Sequence, residues 1–442
     1  MRKNTFKKGI HPEDSKAFTS AKLIESLPPP ENVFIPLLQH IGAPCTALVE
    51  PGAEVKIGQI IGTSDAYVSS PIHATISGKV KVVDRFAHPA GGKVQMIHII
   101  NDYQNQLDYM NSISDWKNAD SKYLLGRIKK AGIVGLGGAA FPTHVKLAPP
   151  DEKQVDTFIL NGCECEPFLT ADHRIMVEEA EKIVIGMAIM MRVLEVEQGI
   201  IGIESNKPDA VKCMSEAVKQ LGHNFSVLSL KTKYPQGAEK MLIQAVLKRQ
   251  VPTGGLPMDV GVVVNNVGTA LAVAEAVIEG KPLIERVVTV TGDGIKVPKN
   301  IKARIGTPFG EILKFCNGLN DYTVQVIMGG PMMGIAQTDL NVPIVKATSG
   351  IICSNTTKKI STSPCIRCGS CVTACPMFLL PTRIARLAEI GHWNESRDIG
   401  IMNCIECGSC AFACPSNIPL VQWIRLGKLK VGELSQKTIA YI

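Results

Sequence analysis

No apolar stretch in these 442 residues is long enough to cross a bilayer; the longest, Ile183 to Met191, falls far short of a spanning helix. Basic residues open the chain (Arg2, Lys3, Lys7, Lys8), yet no apolar run follows them, so no secretory signal is expected. Aromatic residues make up only 5 % of the chain and interleave with no basic stripe, which speaks against nucleic acid as a partner. Charge of one sign is also scarce. A net +7 would suit an acidic ferredoxin-like partner or an anionic membrane surface, and decides nothing alone.

What the chain does have is cysteine, and eight of its 14 fall into two copies of one pattern. The first is Cys365-x-x-Cys368-x-x-Cys371-x-x-x-Cys375-Pro376; the second is Cys404-x-x-Cys407-x-x-Cys410-x-x-x-Cys414-Pro415. This spacing wraps three thiolates around one 4Fe–4S cube, while the fourth cysteine, before proline, reaches across to the other. Cys365, Cys368, Cys371 and Cys414 are therefore assigned to one cluster, and Cys404, Cys407, Cys410 and Cys375 to the other. Zinc would need only four ligands, usually as two separated pairs. A disulfide framework suits small secreted chains, whereas labile clusters and lone cysteines fit a reducing cytoplasm. Such a chain moves electrons.

The rest of the sequence divides by rhythm. Residues 1–30 read as an N-terminal arm ending in Pro28-Pro29-Pro30. Residues 31–115 carry short β patterns broken by glycine and proline, in two halves that resemble biotinyl/lipoyl β-sandwich domains. Where those domains present a modified lysine, this chain has Asp65-Ala66-Tyr67, so the fold is expected without its prosthetic arm. Residues 116–282 alternate strands (Thr157–Leu160, Gly199–Ile203, Phe225–Leu230, Val260–Val264) with helices (Glu178–Val193, Pro208–Leu221, Ala238–Lys248, Gly268–Glu279), which predicts an α/β domain on a largely parallel sheet. Residues 283–345 read as a small β-grasp (SLBB-like) domain, and residues 355–442 as an α-helical two-cluster ferredoxin-like module.

In the α/β domain, polar or glycine-rich loops follow predicted strands at Asn161-Gly162-Cys163-Glu164-Cys165-Glu166-Pro167, Tyr234-Pro235-Gln236-Gly237-Ala238-Glu239 and Asn265-Asn266-Val267-Gly268-Thr269. Ligands of open α/β sheets bind beyond the carboxyl ends of strands, so these loops are expected to converge on one crevice. A fourth segment, Gly135-Leu136-Gly137-Gly138-Ala139-Ala140-Phe141-Pro142-Thr143, has glycines that permit close backbone approach to a flat ring or a phosphate. It matches a dinucleotide fingerprint only formally, because residues 121–132 read as a helix rather than a strand.

These four segments resemble the flavin- and NADH-binding subunit of respiratory complex I. The resemblance implies that Gly135, Gly137, Gly138, Ala139, Phe141, Lys146, Asn161, Cys163, Glu164, Tyr234, Gly237, Asn265, Asn266 and Thr269 line FMN. It places Glu164, Glu166, Glu239 and Phe141 nearest NAD(H), in the catalytic positions. Leu136 stands where that family has arginine, and Ala238 falls within its acidic turn. The order of all the pieces, from Gly9-Ile10-His11-Pro12 to the tandem clusters, is similar to the RnfC family of the Rnf electron-transport complexes. That likeness implies a peripheral subunit on the cytoplasmic face of the membrane, an ion-translocating ferredoxin:NAD+ oxidoreductase component. Its partners would be the other Rnf subunits (membrane and iron–sulfur), NAD(H) and, indirectly, ferredoxin. A flavin would stand between hydride and one-electron carriers. A microcompartment cobalamin reductase and a non-catalytic electron relay are the alternatives. Of the remaining groups, Cys45, Cys213, Cys316 and Cys353 are expected to be buried, His11, His40 and His73 structural, and the basic tail (Arg425, Lys428, Lys430, Lys437) solvated or a docking surface.

Overall fold

The computed structural model describes residues 4–356 and 361–439, with side chains to residue 434. Residues 32–101 form a sandwich of two small antiparallel sheets. One joins Asn32–Pro36, Lys93–Asn101, Gly78–Ala87 and Glu54–Val55; the other joins Thr46–Ala47, Ile60–Thr63 and Ile72–His73. Alternate apolar residues (Val33, Ile35, Ile61, Ile72, Ile97, Ile99) point inward and are fully buried. Gly78 cannot be replaced cheaply: its φ is 148°, and a Cβ would meet the Ile100 carbonyl oxygen at 1.9 Å.

The α/β domain has a four-stranded sheet in the order Ser226–Leu230, Gln198–Glu204, Thr157–Gly162, Val262–Asn266, parallel throughout. All four carboxyl ends therefore lie along one edge. Two helices differ from the sequence expectation. The helix expected over Glu178–Val193 is Ala180–Leu194, and a separate helix that was not expected, Ala171–Glu178, precedes it across Glu179. The stretch after Asn266 is helical over Val267–Ala274 and then loosens into one π-helical turn, Glu275–Glu279, closed by Gly280 at φ 71°. Met187, Met190 and Met191 fill the core, and Gly186 lets Ala180–Leu194 lie directly on the Val267–Ala274 helix, since a Cβ there would strike the Ala270 carbonyl.

The third sheet has six strands, in the order Ile24–Ser26, Lys299–Arg304, Glu285–Thr291, Gly350–Ser354, Gln325–Met328, Ile335–Gln337. It draws strands from outside residues 283–345: the arm supplies Ile24–Ser26, parallel to Lys299–Arg304, and the segment ahead of the cysteine-rich module supplies Gly350–Ser354. Ile24–Ser26 sits at the sheet edge, and three residues are too few to leave a periodic trace. The cysteine-rich module packs helices Pro381–Glu389 and Leu420–Ile439 around Ile384, Ala388, Ile401, Leu420 and Ile424. Lys346, buried, ties three domains together: its Nζ donates to the carbonyls of Pro71 and Gly132, and its backbone N–H to Gln39. Among the described residues, no helix is long and apolar enough to cross a membrane.

Candidate functional site

The glycine-rich loop and the three strand-end loops meet at the carboxyl edge of the parallel sheet. Gly135 N–H donates to the Phe141 carbonyl (2.8 Å), closing the loop, and Leu136 N–H donates to Thr269 Oγ1 (3.0 Å), fixing it over the Val267–Ala274 helix. Gly137, Gly138 and Ala139 stay exposed, with nothing within 4 Å of a Cβ built on Gly138. A Cβ on Gly137 would lie 2.7 Å from Asn266 Nδ2, so backbone and asparagine are in contact there. Phe141 and Lys146 are half-buried beside this loop, and Lys146 Nζ holds Glu239 at 2.5 Å.

Asn161 organises the next loop by donating to the Gly237 carbonyl (2.9 Å) and accepting from Cys163 N–H (3.1 Å). Gly237 N–H in turn approaches Cys165 Sγ at 3.3 Å. The Cys163 side chain itself points into the core, where burial pushes its thiol well up, while its carbonyl accepts from Lys207. Asn266 caps the Val267–Ala274 helix through Gly268 N–H (2.8 Å) and donates to Asp172 Oδ2 (2.6 Å). Asn265 is buried, and its Nδ2 has no partner within the protein. A buried amide donor left without an acceptor, in the same crevice as Gly138, whose Cα faces open space, fits a bound polar ligand such as a flavin.

The two acidic residues of the Asn161–Pro167 loop both have partners within the protein. Both oxygens of Glu164 are taken by the N-terminus of the Ala171–Glu178 helix, at 2.7 Å from Asp172 N and 3.2 Å from His173 N, with Lys16 beside them. Glu166 turns toward the β-grasp domain, where it accepts from Met332 N–H (3.1 Å) and from the Tyr234 hydroxyl (3.4 Å). Burial raises Glu166 to about 7 against those donors.

Sequence reading missed a buried charged shell behind the crevice. Lys16, from the arm, donates to the carbonyls of Glu164 and Glu166 (3.0 Å each) and of Leu169. Arg286, from the β-grasp sheet, donates to the carbonyls of Leu136 (3.1 Å) and Thr348 (3.2 Å). Burial lowers Arg286 to about 10, with Asp172 opposing the fall, while burial raises Asp172 to about 6. Lys207 and Glu204 pair in full burial at 3.4 Å. The partners of Lys16 and Arg286 lie far away in sequence, so only the Leu136 vacancy hinted that a cation must arrive from elsewhere.

The cysteine motifs fold as two near copies. In each, the residue before the second cysteine is left-handed (Arg367 and Glu406, φ 57° both), and so is the glycine after it (Gly369 at 77°, Gly408 at 81°). The backbone N–H of Arg367 points at Cys365 Sγ and that of Glu406 at Cys404 Sγ, both at 3.4 Å. N–H groups directed at sulfur are what a thiolate-bound cube uses to spread its charge. A small cavity is lined by Cys375, Cys404, Cys407 and Cys410 together with Pro376 and Ile405, which brings the crossed ligand set of one cluster around one space. Burial pushes Cys404 to about 11 and Cys410 to about 12, and the neighbouring cysteines, Cys375 among them, add to the rise. A cation bound at their centre would offset that cost of ionising them together. For the other set, Ser363 N–H donates to the Ser416 carbonyl and Ser416 Oγ to the Pro364 carbonyl, which draws the segment after Cys414 to the one before Cys365. Among the described residues no three His, Cys, Asp or Glu converge to hold a single metal ion.

Several other groups also depart from expectation. Cys213 is only half-buried, and His11 is exposed, while Cys45, Cys316, Cys353, His40 and His73 are buried. The basic tail is not free: Arg425 (3.1 Å) and Lys428 (2.5 Å) both grip Glu406, and Lys428 also donates to the Cys404 carbonyl. The Lys437 side chain lies outside the described residues.

Comparison with known families finds the RnfC barrel sandwich hybrid domain over residues 4–104 and the Nuo51 FMN-binding domain over 128–275. An SLBB domain matches over 287–336 and a 4Fe-4S dicluster domain over 357–415. A subunit of the proton-translocating ferredoxin:NAD(+) oxidoreductase complex of Clostridium ljungdahlii is 50 % identical over 397 residues, covering 89 % of this chain and 86 % of that one. Its sodium-translocating counterpart from Acetobacterium woodii is 46 % identical over 400 residues, covering 89 % and 90 %. Among solved structures, a chain of the air-oxidized NAD+-reducing nickel–iron hydrogenase aligns with a TM-score of 0.49 at 19 % identity, over 70 % of this chain and 60 % of that one.

Proposed function

The chain belongs to the RnfC family, whose members are subunits of ion-translocating ferredoxin:NAD(+) oxidoreductase complexes, and from that premise we propose that it exchanges hydride between NAD(H) and FMN in the crevice and relays single electrons through two 4Fe–4S clusters. FMN, when bound, supplies the step between a two-electron hydride donor and one-electron carriers. The protein's part is to hold the ring and bias its charge. The backbone of Gly135–Ala139 gives the ring or its phosphate an unobstructed approach, and Thr269 fixes that backbone from below. Asn265 offers an amide donor, and Asn266 with Asp172 sets the floor. Buried Arg286 and Lys16 put positive charge behind the loops, which favours an electron-rich ligand. Lys146 and Glu239 stand beside the glycine loop, where nicotinamide would enter with Phe141.

In this reading Glu164 acts as a positioning residue: by capping the Ala171–Glu178 helix it fixes Asp172 beneath Asn266. The eight motif cysteines hold the clusters in the crossed sets. We treat the five divisions expected from the sequence as working units, with the β-grasp sheet extended by strands from the arm and from residues 350–354. Partner subunits would couple the electron flow to ion translocation, with this chain seated peripherally on the cytoplasmic face of the membrane. The observation that carries the proposal is the coincidence, on one chain, of the glycine-lined crevice holding an unpaired Asn265 amide and the four-cysteine cavity. Replacing Asn266 with alanine tests it. Flavin content and NADH oxidation with an artificial acceptor should fall together while iron per chain is unchanged; full NADH oxidation in the variant would refute the site.

A further inference from the structure

The two cysteine sets sit in unlike surroundings. Cys407 and Ala374, the residue before Cys375, share one buried apolar cluster with Ile10 and Tyr234, and Cys165, Met332, Ile405 and Ala413 pack against it. Tyr234 and Cys165 belong to loops of the flavin crevice, and Gly237 N–H, three residues beyond Tyr234, points at Cys165 Sγ. The arm reinforces the junction. Ile10 and Tyr234 exchange two backbone hydrogen bonds (2.9 Å each), Gly9 N–H donates to the Ala374 carbonyl (3.2 Å), and Lys8 Nζ reaches the Val372 carbonyl (2.8 Å). Gly408 fits closely as well, since a Cβ there would lie 2.8 Å from the Met332 carbonyl oxygen. The wall of the four-cysteine cavity thus shares Ile405, Cys407 and Gly408 with a buried contact to the flavin domain, the β-grasp domain and the arm.

The other set is open on one side, although Cys371 is buried and Cys414 half-buried. Cys365 and Cys368 are exposed, and Ile366 between them is 67 % exposed. None of its cysteines joins the Tyr234 cluster. Electron transfer through protein falls steeply with distance, so a relay needs one centre packed against the flavin and another that a partner can approach.

We propose that the cluster held by Cys375, Cys404, Cys407 and Cys410 exchanges electrons directly with the flavin, and that the cluster held by Cys365, Cys368, Cys371 and Cys414 is the outlet to a one-electron carrier docking over Cys365–Cys368. The proposal rests on the flavin reading above and assigns the order of its relay. The balance is simple: a hydride delivers two electrons and one proton to the flavin, and the electrons leave singly, each reducing one cluster by one electron.

The test uses the full chain, purified anaerobically with flavin and iron, mixed with NADH and frozen at successive times for EPR. Cys407→Ser and Cys368→Ser each keep an oxygen ligand and retune one cluster's spectrum, so each signal can be assigned to its motif. The signal that Cys407→Ser alters should appear first, and the one that Cys368→Ser alters should follow. In a second pair, Cys407→Ala and Cys414→Ala should each lose about half the iron, one of two cubes. Dithionite should reduce the remaining cluster in both, whereas NADH should reduce it quickly only in Cys414→Ala. If the Cys368 signal rises first, or NADH reduces the remaining cluster equally fast in both alanine variants, the order is overturned. If NADH reduces neither cluster in the unmodified chain, which dithionite still reduces, the flavin reading falls and the order falls with it.

Discussion

Glu166 gives the account its sharpest quantitative consequence. Its carboxyl is buried where three parts of the chain meet, and burial lifts it from 4.5 to about 7 despite the N–H groups of Met332 and Met333, the Tyr234 hydroxyl and Lys16. A carboxyl whose folded value is raised keeps its proton longer in the folded protein than in the unfolded chain. Below 4.5 both states are protonated and the group has no effect on stability. Between 4.5 and about 7 the unfolded chain ionises first, and stability drains away as pH rises; above 7 the loss is complete. At about 1.4 kcal/mol per pH unit, that interval amounts to about 3 kcal/mol. Glu166→Gln removes the titration while retaining an acceptor for Met332 N–H. The variant should match the unmodified protein at about pH 5 and be more stable at about pH 8. At about 2 cal/mol/K per residue, a chain of this length should then unfold about 3 °C higher. Scanning calorimetry of both anaerobic holoproteins at the two pH values measures it. An equal difference at both, or a less stable variant at the higher pH, would refute the burial argument.

Other substitutions probe the remaining contacts. Gly137→Ala places a methyl 2.7 Å from Asn266 Nδ2 and should lower bound flavin with iron unchanged, measured as flavin and iron per chain. Asn266→Ala deletes a helix cap and should cost about 1 kcal/mol in thermal unfolding of the apoprotein. Lys428→Met loses both the Cys404 carbonyl and Glu406, so a chelator should bleach one cluster faster; Lys430→Met, paired only with exposed Glu433, should bleach at the unmodified rate.

Much of this was legible in the sequence, because some constraints are local. Cysteines at fixed spacing announce clusters since the loop itself must wrap the cube. Strands alternating with helices announce a parallel sheet, since crossovers need that length of chain. Glycines in the Gly135–Ala140 loop announce close approach. Illegible was everything that depends on partners remote in sequence. Arg286 reaches a loop about 150 residues earlier, and Lys16 one about 150 residues later. Each is a single polar side chain without periodicity, so nothing near it advertises the partner. Glu164 shows a similar limit: its bonds to the backbone N–H groups of a helix eight residues on have no signature in its own loop. The basic tail misled for a related reason, since Arg425 and Lys428 look solvated until Leu420–Ile439 is seen lying along Glu406.

The central claim is that one polypeptide joins a flavin crevice to a pair of iron–sulfur cubes. Cofactor analysis of the anaerobically purified chain, followed by addition of NADH in the spectrophotometer, tests it most directly. One FMN and about eight iron atoms per chain are expected, with flavin and cluster absorbance bleaching together. A chain with full iron but no flavin, or with flavin that NADH bleaches while the clusters stay oxidised, would contradict it.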